Sequence, residues 1–362
     1  MTPPATRQAR PLPAPRNDLG LREGYHSPQV PVEVRLNTNE SPYAPPRRWL
    51  DAVCDLARDI AFNRYPDRSA WALREALAQW HGVRPEQVFP ANGSNEVLQT
   101  LCLAYGGPGR KALMFEPTYA LHSHIAHLTS TAIVQSRRRN DFSLDPEAAV
   151  SAVQKANPSI VFLCSPNNPT GLAEDEGTVS AVVGASPGLV VVDEAYGQFA
   201  SWSALGLVDD AVPLAVVRTY SKTWSMAGLR LGYLVGPAEV VRTLERVALP
   251  YHLDSLKQAA GRLALDYSEQ MERRVAAIIS ERERLISQLS QLPLTVWPSQ
   301  ANFVLWRPLE RDGREVWKGL VDRSVLVRDT SSWPGLEGCL RTTVGTPSEN
   351  DRFLRALSEV LA

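Results

Sequence analysis

Cysteine is scarce in this chain, and its four copies stand far apart. Cys54, Cys102, Cys164 and Cys339 form no CxxC pair, which argues against both a zinc cage and a disulfide framework. Reduced, mostly buried thiols are the expectation. An excess of one charge is lacking as well, since 38 basic residues against 39 acidic ones leave a net charge of -1. No run of like charge exceeds Arg137-Arg138-Arg139, so bulk attraction to nucleic acid or a membrane surface has no basis. That arginine run reads as a solvated edge. No apolar stretch approaches the ~20 residues that cross a bilayer, and the N-terminal segment has no signal-peptide core. A soluble, cytoplasmic protein is expected.

What the chain does have is enough apolar material for one large core or two: 362 residues, 44% hydrophobic and 21% charged. Residues 1–20 hold Pro3, Pro4, Pro11, Pro13 and Pro15 with Arg7, Arg10 and Arg16, a composition that resists helix formation and reads as a loose, flexible arm. Its prolines also spoil the amphipathic helix of a transit peptide. From Ser69 onward helical and strand patterns alternate. Leu73, Ala76, Leu77 and Trp80 recur at helical spacing, and another helix starts near Ser94 and stops at Gly106-Gly107. Short apolar runs at Ala112–Phe115, Ile160–Cys164, Leu189–Val192, Leu214–Val217 and Leu231–Val235 read as buried strands. Strands buried on both faces and separated by helix-length segments imply an α/β fold with a mostly parallel central sheet flanked by helices.

After about residue 252 the pattern changes to a charged helical stretch, Asp254–Leu292. Strand-like runs follow at Asn302–Trp306, Val325–Arg328 and Cys339–Val344, and then a terminal helix. This order predicts a smaller α+β domain. The division expected is a large domain over 61–252 and a small one built from 21–60 and 253–362. Trp49, Trp71 and Trp80 read as core packing.

Four segments fall just past the carboxyl ends of strands, where a parallel sheet places its chemistry. Gly93-Ser94-Asn95-Glu96 is a glycine turn opening a helix, whose free N–H groups and positive dipole end suit a phosphate, although an ordinary helix start looks the same. Ser165-Pro166-Asn167-Asn168-Pro169-Thr170-Gly171 is either a rigid turn or a mount that holds the Asn168 amide in one orientation. Asp193-Glu194-Ala195-Tyr196 puts a carboxylate at the end of a buried strand, where it must be paired, with a protonated heterocyclic nitrogen or with an arginine. In Thr219-Tyr220-Ser221-Lys222, a desolvated lysine has a lowered pKa and can form a Schiff base. Ser221 and the nearby Arg230 can bind a phosphate.

Together the four segments supply a phosphate-binding helix start, an amide, a carboxylate, an amine nucleophile and an arginine, in that order. Asn168, Asp193, Lys222 and Arg230 lie 25, 29 and 8 residues apart. This set resembles the fold type I pyridoxal-phosphate enzymes, specifically the class II aminotransferases of the aspartate aminotransferase superfamily. Within it the resemblance is closest to the histidinol-phosphate aminotransferase family and covers about Leu21 to Leu357. Its marks are Leu36-Asn37-Thr38-Asn39-Glu40-Ser41-Pro42-Tyr43, Arg64-Tyr65-Pro66-Asp67, Ala91-Asn92-Gly93-Ser94-Asn95-Glu96, the Ser-Lys segment, and Leu340-Arg341-Thr342-Thr343-Val344-Gly345-Thr346. Ser41 departs from the family's usual asparagine.

The resemblance implies a homodimeric aminotransferase of histidine biosynthesis, acting on histidinol phosphate and on glutamate or 2-oxoglutarate. Lys222 would hold pyridoxal 5'-phosphate as a Schiff base and move the substrate proton, and Asp193 would keep the pyridine nitrogen protonated. Asn168 and Tyr196 would bond the phenolic oxygen, and Tyr119 would stack on the ring. The cofactor phosphate would take the N–H groups of Ser94 and Asn95, the side chains of Ser221 and Arg230, and Tyr65 from the other subunit. Arg341 would grip the substrate's anionic end, with Arg328, Tyr43 and the other subunit's Tyr251 as further candidates. The rivals are an aromatic amino-acid aminotransferase, a threonine-phosphate decarboxylase, and a transcription regulator with an aminotransferase-like domain. For the last, residues 1–20 offer no room for a helix-turn-helix. His122, His124 and His127 are not read as a metal site, because positions 122 and 124 face apart on a helix with no other ligand near in sequence.

Overall fold

A computed structural model describes residues 13–14 and 29–362. The arm expected over residues 1–20 thus lies outside the described residues except for Pro13 and Ala14. The first half runs through β1 (Val34–Leu36), α1 (Arg47–Asp59), α2 (Trp71–His81), β2 (Val88–Ala91), α3 (Ser94–Tyr105), β3 (Lys111–Glu116), α4 (Ala120–Leu128), β4 (Ala132–Arg137) and α5 (Pro146–Ala156). It continues through β5 (Ile160–Cys164), α6 (Glu176–Ala185), β6 (Leu189–Asp193), β7 (Leu214–Thr219), β8 (Gly232–Val235) and α7 (Ala238–Val247). The remainder comprises α8 (Ser255–Ala264), α9 (Ser268–Leu289), β9 (Leu294–Val296), β10 (Phe303–Pro308), α10 (Gly313–Asp322), β11 (Val325–Asp329), β12 (Leu340–Thr343) and α11 (Pro347–Leu361).

The central sheet has seven strands in the order β2-β8-β7-β6-β5-β3-β4. β8 alone points opposite to the other six strands. Every residue of β5 and β6 is buried, which is why these strands read as unbroken apolar runs rather than alternating ones. The period of two still decides what each residue meets. Ala112, Met114, Ile160, Phe162, Val191 and Val217 pack on one side with Val97, Leu101, Ile125 and Leu244 of α3, α4 and α7. Leu113, Phe115, Val161, Leu163, Val190 and Val216 pack on the other with Val153, Val179 and Val182 of α5 and α6. A second sheet has the order β1-β11-β12-β10-β9, with Phe303, Trp306, Val327 and Leu340 among its buried residues.

Several expectations need correction. The helical stretch from Asp254 is two helices, α8 and α9, separated by a tight turn at Leu265–Tyr267. β4 is an edge strand, half exposed along its length, so it offers no apolar run to read. The arginine run beside it is not uniformly solvated: Arg138 is buried, with an ion pair to Glu174 at 2.6 Å, while Arg137 and Arg139 are exposed. Trp49 is buried, but Trp71 and Trp80 keep 37% of their surface. Cys54 is exposed and the other three cysteines are buried.

Candidate active site

The parallel direction of β5, β6 and β7 brings their carboxyl ends side by side, with Cys164 opposite Asp193 and Asp193 opposite Val217. The segments that follow these strands therefore wall one cavity of about 390 Å³, within the range of small-molecule sites. Ser94, Asn95, Tyr119, Asn168, Asp193, Tyr196, Ser221, Lys222, Arg230 and Arg341 all line it. Tyr43 and Arg328 are not among its lining residues. Arg328 is buried on β11 as the cross-strand neighbour of Arg341, and Tyr43 packs against the core. Tyr65 and Tyr251 stack on each other at 4.5 Å on the surface, where Tyr65 is 80% exposed.

At the floor, Asp193 is 1% exposed. One carboxylate oxygen accepts from the Ala195 N–H at 3.1 Å, and the other contacts His122 Nε2 at 3.0 Å. Its side-chain partner is a histidine, while Arg218 pairs with the adjacent Glu194 instead. His122 is itself sandwiched: its ring stacks on Phe162 at 4.8 Å and meets Tyr119 edge-on at 5.4 Å. The sequence reading missed His122, because the residue it serves is 71 positions away. No local spacing could have shown this.

Lys222 follows β7. Its Nζ donates to the Thr38 carbonyl at 3.0 Å. Loss of solvent around the amine pulls its pKa down to about 8, helped by the like charges of Arg341 and Arg230 and opposed by Glu40. Arg341 is 1% exposed. Its Nη2 donates to the Asn37 carbonyl at 3.0 Å, its other arm bonds Asn168 Oδ1, and its guanidinium lies over Phe303. With Oδ1 taken, the Nδ2 hydrogens are what Asn168 has left to offer. The loop that carries it is fastened by its neighbour, since Asn167 bonds Pro117, Thr118 and Thr170.

At the opposite wall α3 begins at Ser94, and the first N–H groups of a helix have no partner within it. Arg230 Nη1 lies 3.4 Å from Ser221 Oγ, which also accepts from Thr219 Oγ1 at 3.0 Å. Two glycines make the convergence possible. A Cβ on Gly93, where φ is +82°, would sit 2.9 Å from Arg230 Nη2, and one on Gly232 would sit 2.3 Å from the Ser94 nitrogen. Backbone donors, two hydroxyls and a guanidinium thus meet where no side chain intrudes, an arrangement suited to a phosphate dianion.

The aminotransferase class I and II model matches residues 31–357. The chain belongs to that family. Among curated aminotransferases it is 44% identical to the histidinol-phosphate aminotransferase of Mycobacterium avium (strain 104), covering 100% of this chain and 91% of that protein. It is 46% identical to the enzyme of the same name from Thermobifida fusca (strain YX), over 94% of each chain. The solved histidinol-phosphate aminotransferase of Sinorhizobium meliloti, in complex with pyridoxal-5'-phosphate, superposes with a TM-score of 0.83. That match covers 91% of both chains at 24% identity, a likeness of fold. The α/β architecture is that of fold type I.

A lysine with a pKa near 8 keeps about a tenth of its amine neutral at pH 7, several hundred times the fraction at 10.5. In the cofactor-free protein, acylation of Lys222 should therefore rise with pH and level off above about 8. Arg341→Gln removes a like charge and should move that midpoint upward. Peptide mapping of the acylated lysine against pH reads both, and a midpoint unmoved by Arg341→Gln would contradict the electrostatic account.

Proposed function

We propose that this chain is a histidinol-phosphate aminotransferase, interconverting histidinol phosphate plus 2-oxoglutarate with imidazole-acetol phosphate plus glutamate, in histidine biosynthesis. The observation that carries the reading is near-full-length similarity to enzymes of that name, in a chain whose cavity holds a deep arginine, a desolvated lysine and a buried carboxylate. Pyridoxal 5'-phosphate fits the cavity by the test of its glycines: the cradle that a Cβ at Gly93 or Gly232 would fill takes the phosphate. When bound, it supplies a ring that accepts the electron pair left at the substrate's α-carbon.

The residues divide the work by position. Lys222 would move the proton between the substrate's α-carbon and the cofactor's C4′, and a pKa near 8 leaves it able to accept or give one near neutral pH. Asp193 keeps the proton on the ring nitrogen, and His122 holds the carboxylate in place. Asn168 and Tyr196 donate to the phenolic oxygen, while Tyr119 covers the ring. Ser94, Asn95, Ser221 and Arg230 hold the phosphate. Arg341 grips whichever anion the substrate presents, the phosphate of histidinol phosphate or the α-carboxylate of glutamate, because a planar guanidinium bonds either through paired donors. Arg328, the cross-strand neighbour of Arg341, backs this anion pocket from β11 without lining the cavity, and Tyr43 stands outside it on the loop after β1.

The large domain over 61–252 supplies the cofactor residues, and the small domain, 21–60 with 253–362, supplies Arg341. The protein works in the cytoplasm as a homodimer. Among the described residues no helix is long and apolar enough to cross a membrane. Exposed Tyr65 and Tyr251 complete the partner's site rather than their own, Tyr65 at the cofactor phosphate and Tyr251 at the substrate.

Mixing holoenzyme separately with histidinol phosphate, phenylalanine and threonine phosphate, and following the cofactor spectrum and products, tests the substrate. Histidinol phosphate should convert fastest at equal low concentration. Arg341→Lys should weaken both histidinol phosphate and glutamate by about 1–3 kcal/mol, roughly 5- to 150-fold. Faster conversion of phenylalanine would make the protein an aromatic aminotransferase, and carbon dioxide from threonine phosphate would make it a decarboxylase.

Mixing Tyr65→Phe and Lys222→Ala subunits tests the shared site. One site of the mixed dimer then combines an intact lysine with an intact partner tyrosine, so activity should exceed the mean of the two parents. Strictly additive activity would return Tyr65 to its own subunit's site.

A further inference from the structure

Three consecutive residues after β1 reach three side chains of the cavity. The Asn37 carbonyl accepts from Arg341, the Thr38 carbonyl accepts from Lys222 Nζ, and Asn39 Nδ2 donates to the Tyr196 hydroxyl at 2.9 Å. The first two are backbone contacts that any residue could make. The third depends on one amide side chain.

Asn39 is 1% exposed and lines the cavity. Its backbone N–H donates to Thr343 Oγ1 at 2.9 Å, its carbonyl accepts from Asn302 Nδ2 at 3.1 Å, and its Oδ1 accepts from Thr343 Oγ1 at 3.2 Å. This network sets the orientation of the amide. The Thr343 hydroxyl receives the Asn39 N–H and gives its own proton to Oδ1, so the Nδ2 end is the one turned toward Tyr196. An amide NH₂ group only donates. The Tyr196 oxygen is therefore the acceptor in that bond, and its single proton must lie along another direction. The ring cannot swing to escape this, since it is 5% exposed and packed edge-on against Phe303 at 5.1 Å.

We propose that Asn39 is a positioning residue for Tyr196: by donating to its hydroxyl, the Asn39 amide commits the tyrosine proton to the cavity side, where it is offered to the cofactor's phenolic oxygen. This rests on the reading of the cavity as a pyridoxal-phosphate site. The backbone at Asn39 has φ +54°, a left-handed conformation that asparagine and glycine adopt more readily than other residues. Asparagine thus meets a backbone requirement and a hydrogen-bonding one at the same position. The two can be separated by substitution.

Asn39→Gly keeps the backbone conformation and deletes the amide. Asn39→Asp keeps the shape and turns the donor into an acceptor, which would draw the tyrosine proton away from the cavity. The readout is the pH midpoint of the holoenzyme's visible colour change, independent of turnover. A hydrogen bond to the phenolic oxygen stabilises the deprotonated form, so losing it moves the midpoint upward. Both variants should raise it by about one pH unit, a tenfold change in proton affinity, in the same direction as Tyr196→Phe. The double variant Asn39→Gly/Tyr196→Phe should shift no further than Tyr196→Phe alone, because the amide acts only through the hydroxyl. A merely structural role for Asn39 would lower thermal stability and leave the midpoint where it was. That outcome, or full additivity in the double variant, overturns the proposal while the wild-type colour change leaves the cofactor reading standing. A wild-type protein with no visible cofactor band overturns both.

Discussion

The site depends on one carboxylate that has no business with water. Asp193 ends a strand whose every residue is buried, and an isolated charge in such a place costs several kcal/mol unless it is partnered. A backbone N–H and a histidine meet part of that demand, and under the proposed function a protonated ring nitrogen would meet the rest. The parallel sheet then does the remaining placement. Because β5, β6 and β7 share a direction and a register, the loop bearing Asn168, the carboxylate of Asp193 and the Ser221-Lys222 turn emerge in a row.

The second sheet contributes what the first cannot. Arg341 comes from β12, and Asn37 to Asn39 follow β1. Both reach across to the side chains carried by the central sheet, Asn168, Tyr196 and Lys222. These polar contacts between the two sheets meet at the cavity. Arg341 also acts at a distance: its charge is second to lost solvation among the causes that lower the Lys222 pKa. Under the proposed function one guanidinium would both anchor the substrate's anion and tune the base.

Much of this was legible in the sequence for identifiable reasons. β5, β6 and β7 are covered on both faces, and such strands must be apolar throughout, so Ile160–Cys164 and Leu189–Val192 stand out without any structure. The residues directly after them inherit a location from the topology. What escaped notice was non-local. Edge strand β4 mixes Gln135 and Arg137 with its apolar residues because one side meets solvent. His122 lay among histidines with no local partner. Asn39 stood inside a segment marked by family resemblance, but its role depends on Tyr196, 157 residues away. The arginine run misled because Arg138 turns inward to Glu174 while its neighbours do not, a choice set by tertiary packing rather than by composition.

The most direct test of the central claim is the single-turnover rate of amino-group transfer from histidinol phosphate to the cofactor in Asp193→Asn, followed by stopped-flow absorbance. The substitution keeps the side chain's shape and removes its charge. If the buried carboxylate holds the ring nitrogen's proton, losing about 3 kcal/mol of that interaction in the barrier slows the step on the order of 100-fold, with cofactor still bound. A slowing of less than about fivefold would contradict the account.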